Sequence, residues 1–197
     1  MNRRYLSLVA LLLVFTALPL SASQFMEMPF DRVAREANLI VRGTVVDTWS
    51  AWDDTHELIF TYANVRVNRY FGESTGPDML VVREVGGTVD GYTQEAIGFP
   101  MIRQGENVVL MLSKWENSTD FRIHAFNQGK FLVRNRGGVE TLIEDPVKQG
   151  EERLDRERGP RTNALDEAPG LSIHEFSQMV DDARAGMARE LGPRARQ

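Results

Sequence analysis

The 197-residue chain contains no cysteine. Disulfide bonds, a thiolate nucleophile and a cysteine-ligated zinc site are therefore excluded. Histidine is scarce as well, because only His56, His124 and His174 are present and none has a second histidine at metal-site spacing. The Gly-x-Ser-x-Gly, His-Glu-x-x-His and phosphate-loop motifs are also missing. These absences predict a non-enzymatic protein that uses no cofactor and depends on a hydrophobic core for its stability.

Positive charge is in short supply. The chain has 23 lysine and arginine residues against 28 aspartate and glutamate residues, and the formal net charge is −5. No basic stripe stands out along the sequence. Because an acidic surface repels a phosphate backbone, we do not expect nucleic acid as a partner.

One long apolar run is present, at Leu6–Leu18, and Arg3 and Arg4 lie shortly before it. Ser21 and Ser23 follow as small residues at the positions that a signal peptidase requires, so we predict a signal peptide over residues 1–23. A membrane anchor is the alternative, but a span needs roughly 20 apolar residues. Cleavage near Ser23 would leave an exported protein, periplasmic or extracellular. It would also remove two positive charges and change the net charge from −5 to −7.

The segment Leu39–Phe71 organises the chain as two long strands around a polar turn, Ser50–Glu57. Apolar or small residues alternate with a period of two, which indicates strands with one buried face. They are Leu39, Val41, Val45 and Trp49 in the first strand and Thr61, Ala63, Val65 and Val67 in the second. Gly43 lies on the apolar face of the first strand, which predicts a bend or a close backbone approach.

Shorter strands separated by turn signals follow, and they predict an all-β fold. We place them at Met79–Val85, Val108–Ser113, Phe121–Phe126 and Lys130–Arg134, with Val139–Ile143 as a last edge strand. Val108–Ser113 is apolar on both faces and is expected to be central. Residues 24–144 are thus predicted to form an OB-like, mainly antiparallel barrel of five to six strands.

Helical signals flank this barrel on both sides. Phe30–Ala37 has the spacing of a short amphipathic helix, and Leu171–Leu191 is predicted as a longer one, with Ser172 and Glu175 forming a capping box. Residues 145–170 form a charged, proline-containing linker, the helical segment covers residues 171–192, and residues 193–197 are a tail. The apolar stripe of the long helix is expected to pack on the barrel, with a partner or a membrane surface as the alternative.

Two groups of residues are candidates for binding. Gly86–Gly98 is predicted to be a long, aperiodic, ligand-facing loop, with Gly86 and Gly87 at its start. Four aromatic residues are expected near one end of the barrel, where they could form a ligand surface: Trp49, Trp52, Tyr62 and Tyr92. Core packing and ordinary hairpin pairing are the alternative explanation for these aromatic side chains.

Potential metal ligands cluster only at the tip of the first hairpin, in Asp53, Asp54 and His56. A solvated hairpin tip explains them better, because the cluster lacks the glycine and ligand spacing of an EF-hand. We therefore predict no metal site. His124 is expected on the exposed face of its strand, opposite Phe121 and Ile123.

Several segments carry a resemblance to a known family. In order they are Ala37–Val46, Phe60–Val67, Tyr70–Gly72, Gly86–Gly87, Gln104–Leu112 and Gly129–Phe131. Together they resemble a largely uncharacterised family of exported bacterial proteins, which is in turn similar to the OB-type barrel of netrin-like modules and tissue inhibitors of metalloproteinases. The resemblance covers about residues 30–134. Those inhibitors use a disulfide-held N-terminal cysteine, which this chain lacks, so no inhibitory residue is carried over.

Three functional hypotheses follow. The first is an exported, non-enzymatic module that binds a protein partner through its barrel loops, with a protease as the partner that the resemblance implies. The second is a structural cell-envelope protein attached through Leu171–Leu191. The third is a hydrolase whose site is built from scattered acids such as Asp53, Asp54 and Glu106.

Overall fold

The computed structural model describes residues 28–96, 98–144 and 170–190. The predicted signal peptide with its cleavage site, residues 145–169 of the predicted linker and the tail lie outside the described residues. Along the chain, the helices and strands are α1 (Phe30–Glu36), β1 (Leu39–Trp52), β2 (Ile59–Tyr70), β3 (Met79–Val85), β4 (Gly87–Val89), β5 (Tyr92–Gln94), β6 (Asn107–Lys114), β7 (Phe121–Ile123), a 3-10 helix (Phe126–Gly129), β8 (Lys130–Arg136), β9 (Val139–Glu144), β10 (Leu171–Ser172) and α2 (Ile173–Glu190).

Five strands close into a barrel in the order β1, β2, β3, β7, β6, with β6 pairing back onto β1. Every pair is antiparallel except β3 with β7, which run parallel at Val82 and Phe121. The prediction of an all-β, mainly antiparallel barrel with a short N-terminal helix and a C-terminal helix is confirmed. Closure leaves the barrel strands without a free edge.

Strand β6 is the central strand of the molecule. β7 pairs with its C-terminal half and β8 with its N-terminal half along the same edge, and β9 and β10 then extend the sheet from β8. Its alternate residues Val108, Leu110 and Leu112 belong to the core inside the barrel. Val109 and Met111 belong to a second core outside it, beneath the two helices. The prediction that this strand is apolar on both faces and central is confirmed.

The pairing of β1 with β2 contains two irregularities, and the second changes which residues of β1 face inward. The register against β2 shifts at Arg42/Gly43, where a Cβ on Gly43 would lie 2.7 Å from the Arg66 carbonyl oxygen, so the predicted close approach is confirmed. A second shift lies between Val45 and Asp47. One extra residue there moves all later side chains to the other face. The prediction that Trp49 shares the apolar face of Val45 is wrong, because Trp49 points outward.

The segment 86–98 is not the long aperiodic loop that we predicted. Residues 87–94 form a two-stranded hairpin, β4–β5, around the two-residue turn Asp90-Gly91. Both turn residues have positive φ, 50° and 83°, as a type I′ hairpin turn requires. The Asp-Gly dipeptide was the signal for this hairpin in the sequence.

The predicted strand Phe121–Phe126 is shorter than expected, because β7 ends at Ile123 and a 3-10 helix begins at Phe126. Ala125 and Phe126 adopt positive φ, which an extended strand cannot include. The turn brings the chain back to the same edge of β6, where β8 begins.

The long helix packs on the barrel, as predicted. Its apolar residues Phe176, Val180 and Ala183 are buried in the outer core. The capping box is confirmed, since the Glu175 amide donates to Ser172 Oγ at 3.2 Å and the Ser172 amide donates to Glu175 Oε2 at 3.0 Å. Among the described residues, no helix has the length and apolar character needed to cross a bilayer.

Candidate functional site

A cavity of about 260 Å³ lies at one end of the barrel, beneath hairpin β4–β5. Its walls come from the barrel strands, from the hairpin and from the segment that follows the hairpin. Residues of all three parts line it, among them Thr61, Glu84, Gly86, Gly87, Gln94 and Met101. The two glycines were predicted to belong to a ligand-facing element, and both line this cavity.

The cavity exists because the last layer of the barrel interior is polar. Along the inner face of β3, Leu80 and Val82 are followed two residues later by Glu84. Glu84 pairs in register with Thr61 of β2, and Thr61 pairs with Ser50 of β1. A row of two hydroxyls and a carboxyl thus replaces the apolar layers that fill the rest of the barrel.

Gly86 and Gly87 let the hairpin lie directly on this polar row. A Cβ on Gly87 would lie 2.5 Å from Thr61 Oγ1 and 2.6 Å from Ser50 Oγ, and its φ is 139°. Thr61 Oγ1 donates to the Gly86 carbonyl oxygen at 2.7 Å. Gln94, which pairs with Gly87 at the same end of the hairpin, accepts at its Oε1 a hydrogen bond from the Ile59 amide at 2.6 Å. Glycine is needed here because any larger residue would hold the hairpin away from the barrel.

Glu84 is the most unusual group in the cavity wall. The residue is only 4% exposed, and its Oε1 accepts a hydrogen bond from the Ile123 amide of β7. Burial raises the pKa of the Glu84 carboxyl to about 8, although the Ile123 amide and the charge of Arg122 act in the opposite direction. The carboxyl is therefore mostly protonated at neutral pH. Glu84 is not among the site residues predicted from the sequence.

The four predicted aromatic residues form two separate pairs. Trp49 stacks on Tyr62 with ring centroids 5.3 Å apart, and Trp52 contacts Tyr92 edge to face at 6.0 Å. Trp49 and Trp52 are three residues apart in a strand, so the two pairs lie on opposite faces of the β1–β2 hairpin. Trp49 is 41% exposed and Tyr92 is 67% exposed. We refer to these four residues as the aromatic end of the barrel.

The Trp49–Tyr62 pair continues across the outer face of the barrel as a row of cation–π contacts. The Arg83 guanidinium lies 6.0 Å from the Tyr62 ring, 4.9 Å from the Phe60 ring and 4.7 Å from the Trp115 ring. The Trp115 indole also donates a hydrogen bond to the Arg83 carbonyl oxygen at 3.0 Å. This row was not predicted, because Arg83 and Trp115 belong to a strand and a turn that are distant in sequence.

The acidic tip of the β1–β2 hairpin is a turn. Asp53 Oδ1 accepts hydrogen bonds from the Glu57 and Leu58 amides, and Asp53 Oδ2 accepts one from the Thr55 hydroxyl. These bonds, the Leu58 amide first, lower the pKa of Asp53. His56 has positive φ and stacks on Trp52. The described residues contain no group of three or more histidine or acidic side chains placed to hold a metal ion.

Asp53, Asp54 and Glu106 are not brought together, contrary to what the hydrolase hypothesis required. The Glu106 carbonyl oxygen accepts from the Val45 amide, whereas Asp53 follows the far end of β1. The strand between them spans on the order of 25 Å at about 3.3 Å per residue. The Glu106 carboxylate instead forms an ion pair with the buried Lys130, at 2.8 Å.

His124 is not on an exposed strand face, contrary to the prediction, because β7 ends one residue before it. Its side chain is 18% exposed, its Nδ1 is 2.6 Å from Ser113 Oγ, and its Nε2 is 3.7 Å from Glu36 Oε2. Burial lowers the pKa of His124. Serine, histidine and carboxylate stand in a row, but Ser113 is buried within the sheet and its hydroxyl is not open to a substrate. We interpret the row as a contact that joins α1 to the barrel.

Comparison with known proteins leaves the family open. The similarity to netrin-like modules and metalloproteinase inhibitors therefore remains a prediction from the sequence, while the barrel itself is shown by the structure. No family model matches this chain, and no curated protein is significantly similar to it.

Proposed function

We propose that the chain is an exported, non-enzymatic module that binds a protein partner through the aromatic end of its barrel. The observation that carries this proposal is the exposure of the two ring pairs, above all of Trp49 and Tyr92. Aromatic side chains are enriched in the cores of protein interfaces and among the residues that contribute most to binding.

The aromatic end is also held in place before any partner arrives. Trp49 and Tyr62 are directly paired residues of neighbouring strands, and their rings are within 8° of parallel. Trp52 and Tyr92 join hairpin β1–β2 to hairpin β4–β5. Rigid aromatic side chains lose little conformational entropy on binding, which favours affinity. A protease is the kind of partner that the resemblance implies.

Capture experiments with envelope extracts test the proposal. Mature protein, residues 24–197, is compared with a Trp49→Ala/Tyr92→Ala variant and with Met179→Ala, which removes a similarly exposed apolar side chain on α2. We expect the double variant to lose a captured protein that wild type and Met179→Ala both retain. Equal capture by all three proteins would contradict the proposal. The captured protein is then assayed for proteolysis with and without the module.

A hydrolase is the second candidate, and Glu84 is the observation that favours it. A carboxyl that stays protonated near neutral pH and lines a cavity has the properties of a general acid. Glu95 is a second carboxyl in the same wall. A screen against ester, glycoside and peptide substrates tests this candidate. Activity that Glu84→Gln abolishes would support it, and activity unchanged by Glu84→Gln would exclude this site.

A further inference from the structure

We propose that the cavity beneath hairpin β4–β5 binds an organic cation, the ammonium or guanidinium end of a lysine or arginine side chain of the partner. This inference rests on the proposed function, because the hairpin that covers the cavity also carries Tyr92 of the aromatic end. A partner docked on the aromatic end would therefore have a side-chain-sized opening next to it.

The size of the cavity fits a side chain. Pockets for drug-sized ligands measure about 300–1,000 Å³, and an engineered cavity of about 150 Å³ holds benzene. The volume of about 260 Å³ lies between these limits. An extended aliphatic chain with a charged end fits such a volume better than a larger organic ligand does.

The polar groups of the wall favour positive charge. Glu84 and Glu95 are the ionisable residues among the described residues that line the cavity, and none of these is basic. One oxygen of Glu84 accepts from the Ile123 amide, whereas no described residue donates a hydrogen bond to the other, Oε2. When Glu84 is ionised, this second oxygen is an acceptor that a donor from a ligand in the cavity could satisfy. An ammonium or guanidinium group would supply donors, whereas a carboxylate ligand would bring only further acceptors.

Other charges around Glu84 do not oppose this assignment. Arg122 of β7 lowers the pKa of Glu84 but does not line the cavity. Lys130 lies behind the wall, where its ammonium donates to the Met101 carbonyl oxygen and forms an ion pair with Glu106. The charge of Lys130 is thus already balanced. The contacts of the Lys130 ammonium with the Met101 carbonyl oxygen and the Glu106 carboxylate are an example, close to the cavity wall, of an ammonium group held by oxygen atoms.

Binding would be coupled to ionisation of Glu84. A cation favours the carboxylate form, so binding to the protonated protein must release a proton. With a Glu84 pKa of about 8, we expect the affinity for a monovalent cation to rise about 100-fold between pH 6 and pH 9. A site that depended on shape alone would show no such change.

The test uses mature protein with n-butylammonium and n-butylguanidinium as probes, and with n-butanol and butyrate as controls. Amide chemical shifts in NMR spectra at pH 6, 7, 8 and 9 report the binding site and the affinity. We expect the cations, and neither control, to shift the amide resonances of Glu84, Gly86, Gly87 and Ile123. Glu84→Gln should weaken cation binding at least about tenfold at pH 9, whereas Glu116→Gln, on an exposed turn, should not.

Several outcomes would overturn the inference. They are unchanged spectra with both cations, equal shifts with n-butanol, or Glu84→Gln binding as wild type does. If Glu84→Gln fails to fold, the pH dependence of wild-type binding decides. An affinity that does not change between pH 6 and pH 9 would contradict the inference. If only the cation inference is wrong, the Trp49→Ala/Tyr92→Ala variant should still fail to capture the partner that wild type captures. If only the proposed function is wrong, cation binding should persist, whereas Trp49→Ala/Tyr92→Ala should capture the same proteins as wild type.

Discussion

At the scale of single residues, the barrel accommodates two buried ionisable groups in different ways. Lys130 is fully buried, and its ammonium lies 2.8 Å from the Glu106 carboxylate and donates to the Met101 carbonyl oxygen. Glu84 has an amide donor but no cationic side chain in hydrogen-bond contact among the described residues. The first group can keep its charge because a counter-charge accompanies it, whereas the second stays neutral near pH 7.

Replacing Glu84 with glutamine should make stability less dependent on pH. The folded-state pKa of Glu84 is raised from 4.5 to about 8, so the folded state binds more protons than the unfolded state between these values. The free energy of unfolding of wild type should therefore fall as pH rises through this window. The difference from Glu84→Gln should change by about 1.4 kcal/mol per pH unit. Urea unfolding of both proteins at pH 5, 6, 7 and 8 measures it, and parallel curves would contradict the prediction.

Replacing Lys130 with methionine should be strongly destabilising. The change leaves the Glu106 carboxylate, which is itself mostly buried, without this ion pair. Breaking a buried pair costs about 3–5 kcal/mol when the remaining charge is left uncompensated. Arg103 Nη1 still lies 3.6 Å from Glu106 Oε1, so we expect a loss toward the lower end of this range. Urea unfolding of Lys130→Met should show this loss, and Lys130→Met/Glu106→Gln should recover part of it. Lys114→Met, on an exposed position of β6, is the control. A loss below about 1 kcal/mol in Lys130→Met would mean that the pair contributes little.

The inner faces of the strands were partly readable from the sequence. Within the predicted strand Met79–Val85, Leu80 and Val82 alternate onto one face, and Glu84 continues the same alternation. Extending that pattern by one step would have placed a carboxyl inside the barrel. The raised pKa could not have been foreseen, because it depends on how completely β4–β5 and β7 cover the carboxyl.

At the scale of elements, Arg184 joins α2 to the rest of the fold. Its Nη1 donates to the Gly72 carbonyl oxygen at 2.6 Å and to Ser74 Oγ at 2.8 Å, next to the end of β2. Its Nη2 and Nε reach the Ala37 and Ala34 carbonyl oxygens at the end of α1. The last carbonyl groups of a helix lack donors within the helix and give its C-terminal end a partial negative charge. A cationic donor such as a guanidinium is therefore favourable there.

Replacing Arg184 with methionine keeps the aliphatic part of the side chain and removes these donors. We expect a loss of about 1–3 kcal/mol, the cost of leaving partly buried carbonyl oxygens without partners. Hydrogen exchange should accelerate in α1 and α2 more than in β6, because the helices would detach first. Arg134→Met, on an exposed position, should change neither quantity. Uniform acceleration over the whole chain would contradict a local role for Arg184.

Elements with a regular hydrophobic period were predictable from the sequence. Places where the period is interrupted were not. The alternation of β2 and the capping box at Ser172 are local patterns, so they are visible in the sequence. The irregularity beside Val46 is not, because a one-residue shift leaves no distinctive residue behind, and it reversed the expected side of Trp49. The Asp90-Gly91 turn was visible but was included in a supposed loop, since strands of three residues are too short to show alternation.

At the scale of the whole molecule, the fold has two hydrophobic cores, one inside the barrel and one between the barrel and the helices. Helix α2 contributes Phe176 and Val180 to the outer core. This arrangement bears on the hypothesis of a structural envelope protein attached through the helix. An apolar face that is already buried has little free area to insert into a lipid surface.

Vesicle flotation tests this hypothesis. We expect mature protein to remain at the bottom of a density gradient with anionic vesicles, as would a version ending before Leu171. Vesicles without protein and a known amphipathic helix serve as controls for recovery. Flotation of the mature protein that disappears when residues 171–197 are removed would establish attachment through the helix and contradict this expectation.

The return of β6 to β1 has a consequence for how the chain acquires its fold. Leu39 of β1 pairs with Leu112 of β6. This edge of β1 therefore stays unpaired until β6, which is synthesised much later, is available. A nascent chain that stops before Asn107 holds β1–β3 as an open meander with bare backbone on both sides. Distant pairing of this kind slows folding, and bare strand edges invite association between chains. Chains truncated before Asn107 should aggregate, whereas a chain that extends to Lys114 contains all of β6 and can pair it with β1 to begin closing the barrel.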